Sequence, residues 1–134
     1  MILVDAGPLV ALVDKNDQHH SYCRTAARKL HEPVGTTWPA VTEAVYLLSD
    51  LPKCQDAVWD MLVMGEVQLL DLTRDDVPRI RELMRKYSDL PMDLADASLI
   101  RVAELEKICK IFTTDRRDFA VYRLYGRIRP TVIP

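Results

Sequence analysis

Two rhythms of apolar residues alternate along this chain. Short runs at 2–5, 34–37, 67–72 and 111–114 are rich in Val, Ile, Leu and Phe, as strands buried on both faces require. Between them, apolar residues recur at helical spacing. Leu9, Val10 and Val13 follow Gly7-Pro8 over 9–13, with Pro8 near the first turn, where its missing N–H costs nothing. Asp17 stands as the cap of a second helix with Tyr22, Ala26, Ala27 and Leu30 on its face. A third helix starts around Thr36-Thr37-Trp38-Pro39 and runs to about residue 51, where Pro52 re-aims the chain. A fourth spans 54–64 and ends at Gly65. A fifth begins at Asp75 or Asp76 and runs to residue 87, with Val77, Ile80, Leu83 and Met84 inward. A sixth covers 92–106 after Pro91, and a short one covers 117–125. Residues 131–133 form an edge strand.

Strands alternating with helices predict an α/β sandwich around a mostly parallel sheet of four to five strands. With 134 residues and no linker, repeat or low-complexity stretch, residues 1–134 read as a single domain. No apolar run approaches the length of a membrane span, and the N-terminus lacks the basic start of a signal peptide. Cys23, Cys54 and Cys109 show no metal spacing and leave one thiol over in any disulfide scheme, which fits a reducing cytoplasm.

Charge sharpens the picture. The net charge of −2 hides an asymmetry: residues 1–72 hold five Lys/Arg and ten Asp/Glu, residues 73–134 thirteen and ten. Arg116, Arg117, Arg123, Arg127 and Arg129 lie close together near the end. Such a basic tract suits a phosphate-rich substrate, although arginines also simply solvate a surface.

Four acids are harder to explain by folding. Asp5 and Asp115 each end an apolar strand, at the edge of a parallel sheet where ligands bind. Glu43 is surrounded by Ala40, Ala44, Val45, Leu47 and Leu48 on a helix. Asp96 leads into Ala97-Ser98-Leu99-Ile100, with Asp93 one turn earlier. A strand-end Asp also serves as a helix cap, and a buried Glu also pairs with an arginine. Together, however, carboxylates at one sheet edge repel at roughly 4 kcal/mol per pair at about 4 Å and an effective dielectric of 20, and a multivalent cation removes that cost. Asp93 supports the ligands or caps its helix; Asp118 acts through water or caps; Thr113 orients a carboxylate by hydrogen bonding. No histidine or cysteine joins them: His19, His20 and His31 read as surface residues.

The motifs Ile2-Leu3-Val4-Asp5-Ala6-Gly7-Pro8-Leu9, Pro39-Ala40-Val41-Thr42-Glu43, Asp93-Leu94-Ala95-Asp96-Ala97-Ser98-Leu99 and Phe112-Thr113-Thr114-Asp115-Arg116-Arg117-Asp118-Phe119 resemble, in order, those of PIN-domain ribonucleases, in particular the small VapC-type toxins. The resemblance covers nearly the whole chain. It implies a three-layer sandwich with sheet order 3-2-1-4-5 and a metal-dependent endoribonuclease. Asp5, Glu43, Asp96 and Asp115 match its acidic catalytic, metal-holding positions, and Thr113 its accompanying hydroxyl. It further implies one or two Mg²⁺ ions, with Mn²⁺ as substitute, and an RNA substrate, which Arg116, Arg117 and Arg123 of the basic tract would contact; a homodimer or higher homo-oligomer is expected. A small antitoxin partner would cross an apolar groove, for which Leu9, Val10, Val13, Val45, Leu48 and Leu51 offer material unless they all fold inward. The family usually carries a hydroxyl or amide residue within two positions of the first Asp; here Ala6 and Gly7 follow.

Other readings lack their residues. A phosphotransferase with an aspartyl nucleophile wants an Asp where Gly7 stands, and no Gly-rich nucleotide loop is present. An RNA-processing nuclease and a non-catalytic RNA- or protein-binding module of the same fold remain as alternatives, the latter opposed by retention of all four acids.

Overall fold

Five three-residue strands set the frame in a computed structural model that describes residues 1–134. They are β1 (Ile2–Val4), β2 (Val34–Thr36), β3 (Val67–Leu69), β4 (Lys110–Phe112) and β5 (Thr131–Ile133). All neighbours pair in parallel, in the order β3-β2-β1-β4-β5. That order puts the ends of β1 and β4 side by side in the middle of the sheet, with Val4 opposite Phe112. Asp5 and the Thr113–Asp115 segment therefore emerge together.

Helices α1 (Ala6–Val13), α2 (His20–Arg28), α3 (Trp38–Leu47), α4 (Pro52–Val63), α5 (Val77–Lys86), α6 (Leu94–Glu106) and α7 (Arg116–Phe119) cover both faces. Period-2 alternation divides β1 between two cores. Ile2 and Val4 face a cluster with Leu9, Ala44, Leu48 and Val58, while Leu3 faces one with Leu83, Ile100, Phe119 and Tyr122. The predicted sandwich and strand order are thus present.

Local differences have local causes. The first helix begins at Ala6, because the Asp5 carboxylate caps it directly. Asp17 instead accepts from the His19 N–H at 2.8 Å and closes a turn; α2 starts at His20 without a side-chain cap. Thr73 caps a single 3-10 turn, Arg74–Asp76, ahead of α5. Tyr22 and Val77, expected inward, are exposed. Helix α6 starts at Leu94 because Asp93 caps it, which leaves Met92 free to enter the core. The helix expected over 117–125 stops at Phe119. Beyond it, Leu124 and Ile128 pair across a tight turn in which Tyr125 and Gly126 take positive φ of 51° and 75°. His31 is exposed as expected, but the half-buried His20 ring hydrogen-bonds the Ala11 carbonyl. All three cysteines are free thiols. No helix is long and apolar enough to cross a membrane.

Candidate active site

At the centre stands Asp5, only 7% exposed. Its extended backbone carries the chain from β1 into α1, and its Oδ1 accepts from the Ala6 N–H at 2.8 Å. Its Oδ2 accepts from the Thr113 hydroxyl at 2.9 Å, and Thr113 Oγ1 accepts in turn from the Asp115 N–H. One fully buried threonine thus ties the ends of β1 and β4 together. Asp115 then caps α7, weakly accepting from Asp118 N at 3.5 Å.

Asp96, also 7% exposed, lies in the first turn of α6. Its backbone N–H donates to the Asp93 cap at 2.8 Å, and its Oδ2 accepts from the Tyr122 hydroxyl at 2.9 Å. Glu43 projects half-buried from α3. It has no arginine partner, and neither do Asp5, Asp96 or Asp115.

The electrostatics follow from burial and crowding. Burial pushes the Asp5 carboxyl up to about 6 against the Ala6 and Thr113 hydrogen bonds, with Asp93 and Asp115 adding repulsion. Asp96 is pushed up to about 8 by burial, then by the charges of Asp5 and Asp93. Glu43 rises to about 7, by burial and then by Asp93, Asp5 and Asp115. Asp115 is raised by burial and by Asp118. Carboxylates from four segments therefore act on one another, and no basic group offsets them. Such an all-oxygen, surplus-negative donor set fits a hard divalent cation. As they lie, no three of these side chains converge closely enough to hold a metal ion together.

Gly7 explains the missing hydroxyl after the first Asp. A Cβ at this position would collide with Thr114 Oγ1, so a hydroxyl already occupies that space, delivered from the end of β4.

The arginines divide. Arg116 and Arg117 are exposed at the start of α7, beside Asp115. Arg123 Nη1 instead donates to the carbonyls of Ala120, Val121 and Tyr122 at 2.7 to 3.0 Å, closing the turn after α7. Of the residues expected to line an apolar groove, Leu9, Val10 and Leu48 are buried in the core, Val13 and Val45 are half-buried and Leu51 is exposed. Trp38, Tyr46 and Leu94, all exposed, line a cleft of about 590 Å³ between α3 and α6, with Glu43 and Asp93 in its wall.

Tyr122 was not legible as a site residue. Its signal is a tyrosine three residues after the buried Phe119, since a buried phenol needs a hydrogen-bond partner.

A parallel five-stranded sheet with acids gathered at the ends of β1 and β4 is the arrangement of a PIN domain. The PIN domain family model matches residues 2–124, and the chain belongs to that family. Among individual proteins it is similar to ribonuclease VapC26 of Mycobacterium tuberculosis (strain ATCC 25618 / H37Rv), 25% identical over an alignment of 135 positions that takes in 99% of this chain and 100% of that one. Its fold is also that of M. tuberculosis VapC20, a sarcin–ricin-loop-cleaving toxin whose crystal structure superposes with a TM-score of 0.83 at 18% identity, over 100% of both chains.

Proposed function

We propose that this protein is a divalent-metal-dependent endoribonuclease, the toxin of a toxin–antitoxin pair, with Asp5, Glu43, Asp96 and Asp115 as its catalytic acids. The observation that carries this reading is the gathering of acids at the ends of β1 and β4 and on the facing helices, raised by burial and then by one another's charge, with no basic side chain paired to them. Kinship with the PIN family and likeness to a VapC ribonuclease support the RNA substrate.

Asp5, Asp96 and Asp115 would hold Mg²⁺ or Mn²⁺, one ion or two, with Glu43 at the rim. When bound, the ion supplies positive charge to the phosphodiester under attack and lowers the pKa of water. Thr113 holds Asp5 in place, Asp93 sets the start of α6, and Asp118 engages the Asp115 carboxylate. Arg116 and Arg117 offer charge to the flanking phosphates. The antitoxin would seat an apolar segment in the Trp38–Tyr46–Leu94 cleft and present a basic side chain to Glu43 and Asp93. The protein would work in the cytoplasm as a homodimer or higher homo-oligomer, whose size light scattering in solution tests.

The test is RNA cleavage by purified protein with Mg²⁺, with Mn²⁺ and with chelator. Cleavage should need the metal and vanish in Asp5→Asn, Asp96→Asn and Asp115→Asn, with circular dichroism unchanged. Full cleavage by a folded Asp96→Asn protein removes that residue from the site. Expression should arrest growth, relieved by Asp5→Asn or by co-expressing a neighbouring antitoxin gene. An active enzyme that is harmless when overexpressed points instead to RNA processing.

A further inference from the structure

Asp96 receives a single side-chain hydrogen bond on its carboxylate, from a residue 26 positions away. The donor, Tyr122, is fully buried, with its ring edge-on to Tyr87 at 5.0 Å and to Phe119 at 5.1 Å. Packed between two aromatic neighbours, the buried phenol reaches Asp96 with its hydroxyl, the partner a buried O–H needs. The backbone that carries it is pinned as well. Arg123 N donates to the Tyr87 hydroxyl at 3.0 Å. Tyr125 N donates to Glu104 Oε2 at 2.6 Å, and the Tyr125 hydroxyl donates to the Glu104 carbonyl. Glu104 is itself gripped by Arg79 and Arg101. The 122–125 segment is thus fastened to helix α6 twice, at Asp96 in its first turn and at Glu104 near its end.

We propose that Tyr122 is a positioning residue of the acidic site: its hydroxyl fixes the Asp96 carboxylate through Oδ2, leaving Oδ1 turned to a cation. The inference rests on the metal-site reading above. A carboxylate held by an outer hydrogen bond ligates in one orientation, whereas a free one must first be ordered. A purely structural role for the bond predicts a different outcome. Deleting the hydroxyl would then cost stability and leave metal affinity alone.

Tyr122→Phe keeps the ring between Tyr87 and Phe119 and removes only the donor. Tyr125→Phe is the control, removing a hydroxyl of the same segment that bonds Glu104 and lies outside the site. Mn²⁺ affinity is measured by calorimetry, alongside circular dichroism and melting. Tyr122→Phe should bind Mn²⁺ about 10–100-fold more weakly, and its cleavage should recover at saturating Mn²⁺. Tyr125→Phe should bind as wild type does. In unsubstituted protein, Mn²⁺ should perturb tyrosine absorbance with the midpoint of binding, a signal that disappears in Tyr122→Phe.

Wild-type affinity in Tyr122→Phe, or an equal loss in Tyr125→Phe, overturns the proposal, as does a tyrosine spectrum silent to Mn²⁺. A Tyr122→Phe chain that fails to fold overturns it too, because the hydroxyl then serves the core. Wild type that binds no Mn²⁺ sinks the metal site itself and this inference with it. Normal wild-type binding with an unaltered Tyr122→Phe sinks only the role of Tyr122.

Discussion

Thr113 Oγ1 lies 2.9 Å from Asp5 Oδ2 and 2.9 Å from Asp115 N, so one hydroxyl joins two acids from opposite ends of the sequence. Thr113→Val keeps the shape and deletes both bonds. A buried carboxylate deprived of a partner costs about 1–3 kcal/mol. Thr113→Val should therefore melt lower, bind Mn²⁺ more weakly and cleave more slowly, whereas Thr113→Ser should retain most of each property. Wild-type Mn²⁺ affinity in a folded Thr113→Val protein would show that the hydroxyl does not support the site.

The raised acids make a pH prediction with a definite sign. A carboxyl whose folded pKa exceeds its unfolded value binds its proton more tightly when folded, so stability falls as pH rises between the two. For Asp5, Glu43 and Asp96 that window runs from about 4 to about 8. Metal-free protein should lose melting temperature from pH 5 to pH 8, and Asp96→Asn should flatten the slope. Millimolar Mg²⁺ should restore wild type most strongly at pH 8, by mass-action linkage. A melting temperature indifferent to both pH and metal would refute the cluster as a metal site.

Far from the site, Glu104 is buried on α6 yet ionised. Burial works to raise its pKa, but the hydrogen bonds and charges of Arg79, Tyr125 N–H and Arg101 bring it below the usual glutamate range. Glu104→Gln breaks this knot, while Arg79 keeps Glu82 and Arg101 keeps Asp76. A loss near the lower end for buried pairs, about 3 kcal/mol, is expected at pH 7. Because the folded pKa is depressed, that stabilisation is present above about pH 4 and is lost as pH falls through the folded value. Denaturant melts of both proteins should therefore converge in acid. A difference that stays constant from pH 7 down through the whole acid limb would mean packing, not charge, accounts for it.

What was legible in the sequence shares one property: it depends on neighbours in the chain. The strands showed because buried parallel strands are apolar throughout, and Asp5 and Asp115 showed because acids end those runs. Glu43 and Asp96 showed as charges inside apolar helical stretches. The Tyr122–Asp96 bond and the Glu104 knot escaped because they join residues 21 to 26 positions apart across a loop without periodicity. Which apolar stripes turn inward was not legible either: Leu9, Val10 and Leu48 are buried, while Leu51, Trp38 and Tyr46 are exposed.

The arginines should separate by function, as their surroundings do. Arg116 and Arg117 are exposed and make no ion pair, so Arg116→Ala/Arg117→Ala should weaken binding of single-stranded RNA. The salt dependence should flatten by about 0.7 in log–log slope for each phosphate that is no longer neutralised. Arg123 holds three carbonyls at the end of α7, beside Tyr122. Arg123→Ala should first lower the melting temperature and loosen the loop, with little change in salt slope. Binding titrations of the three proteins from low to high salt, read by fluorescence anisotropy on a cleavage-inactive Asp5→Asn background, decide the matter. An unchanged slope in the double variant, with a reduced one in Arg123→Ala, would reverse the assignment and place the RNA over the 120–128 turn instead of α7.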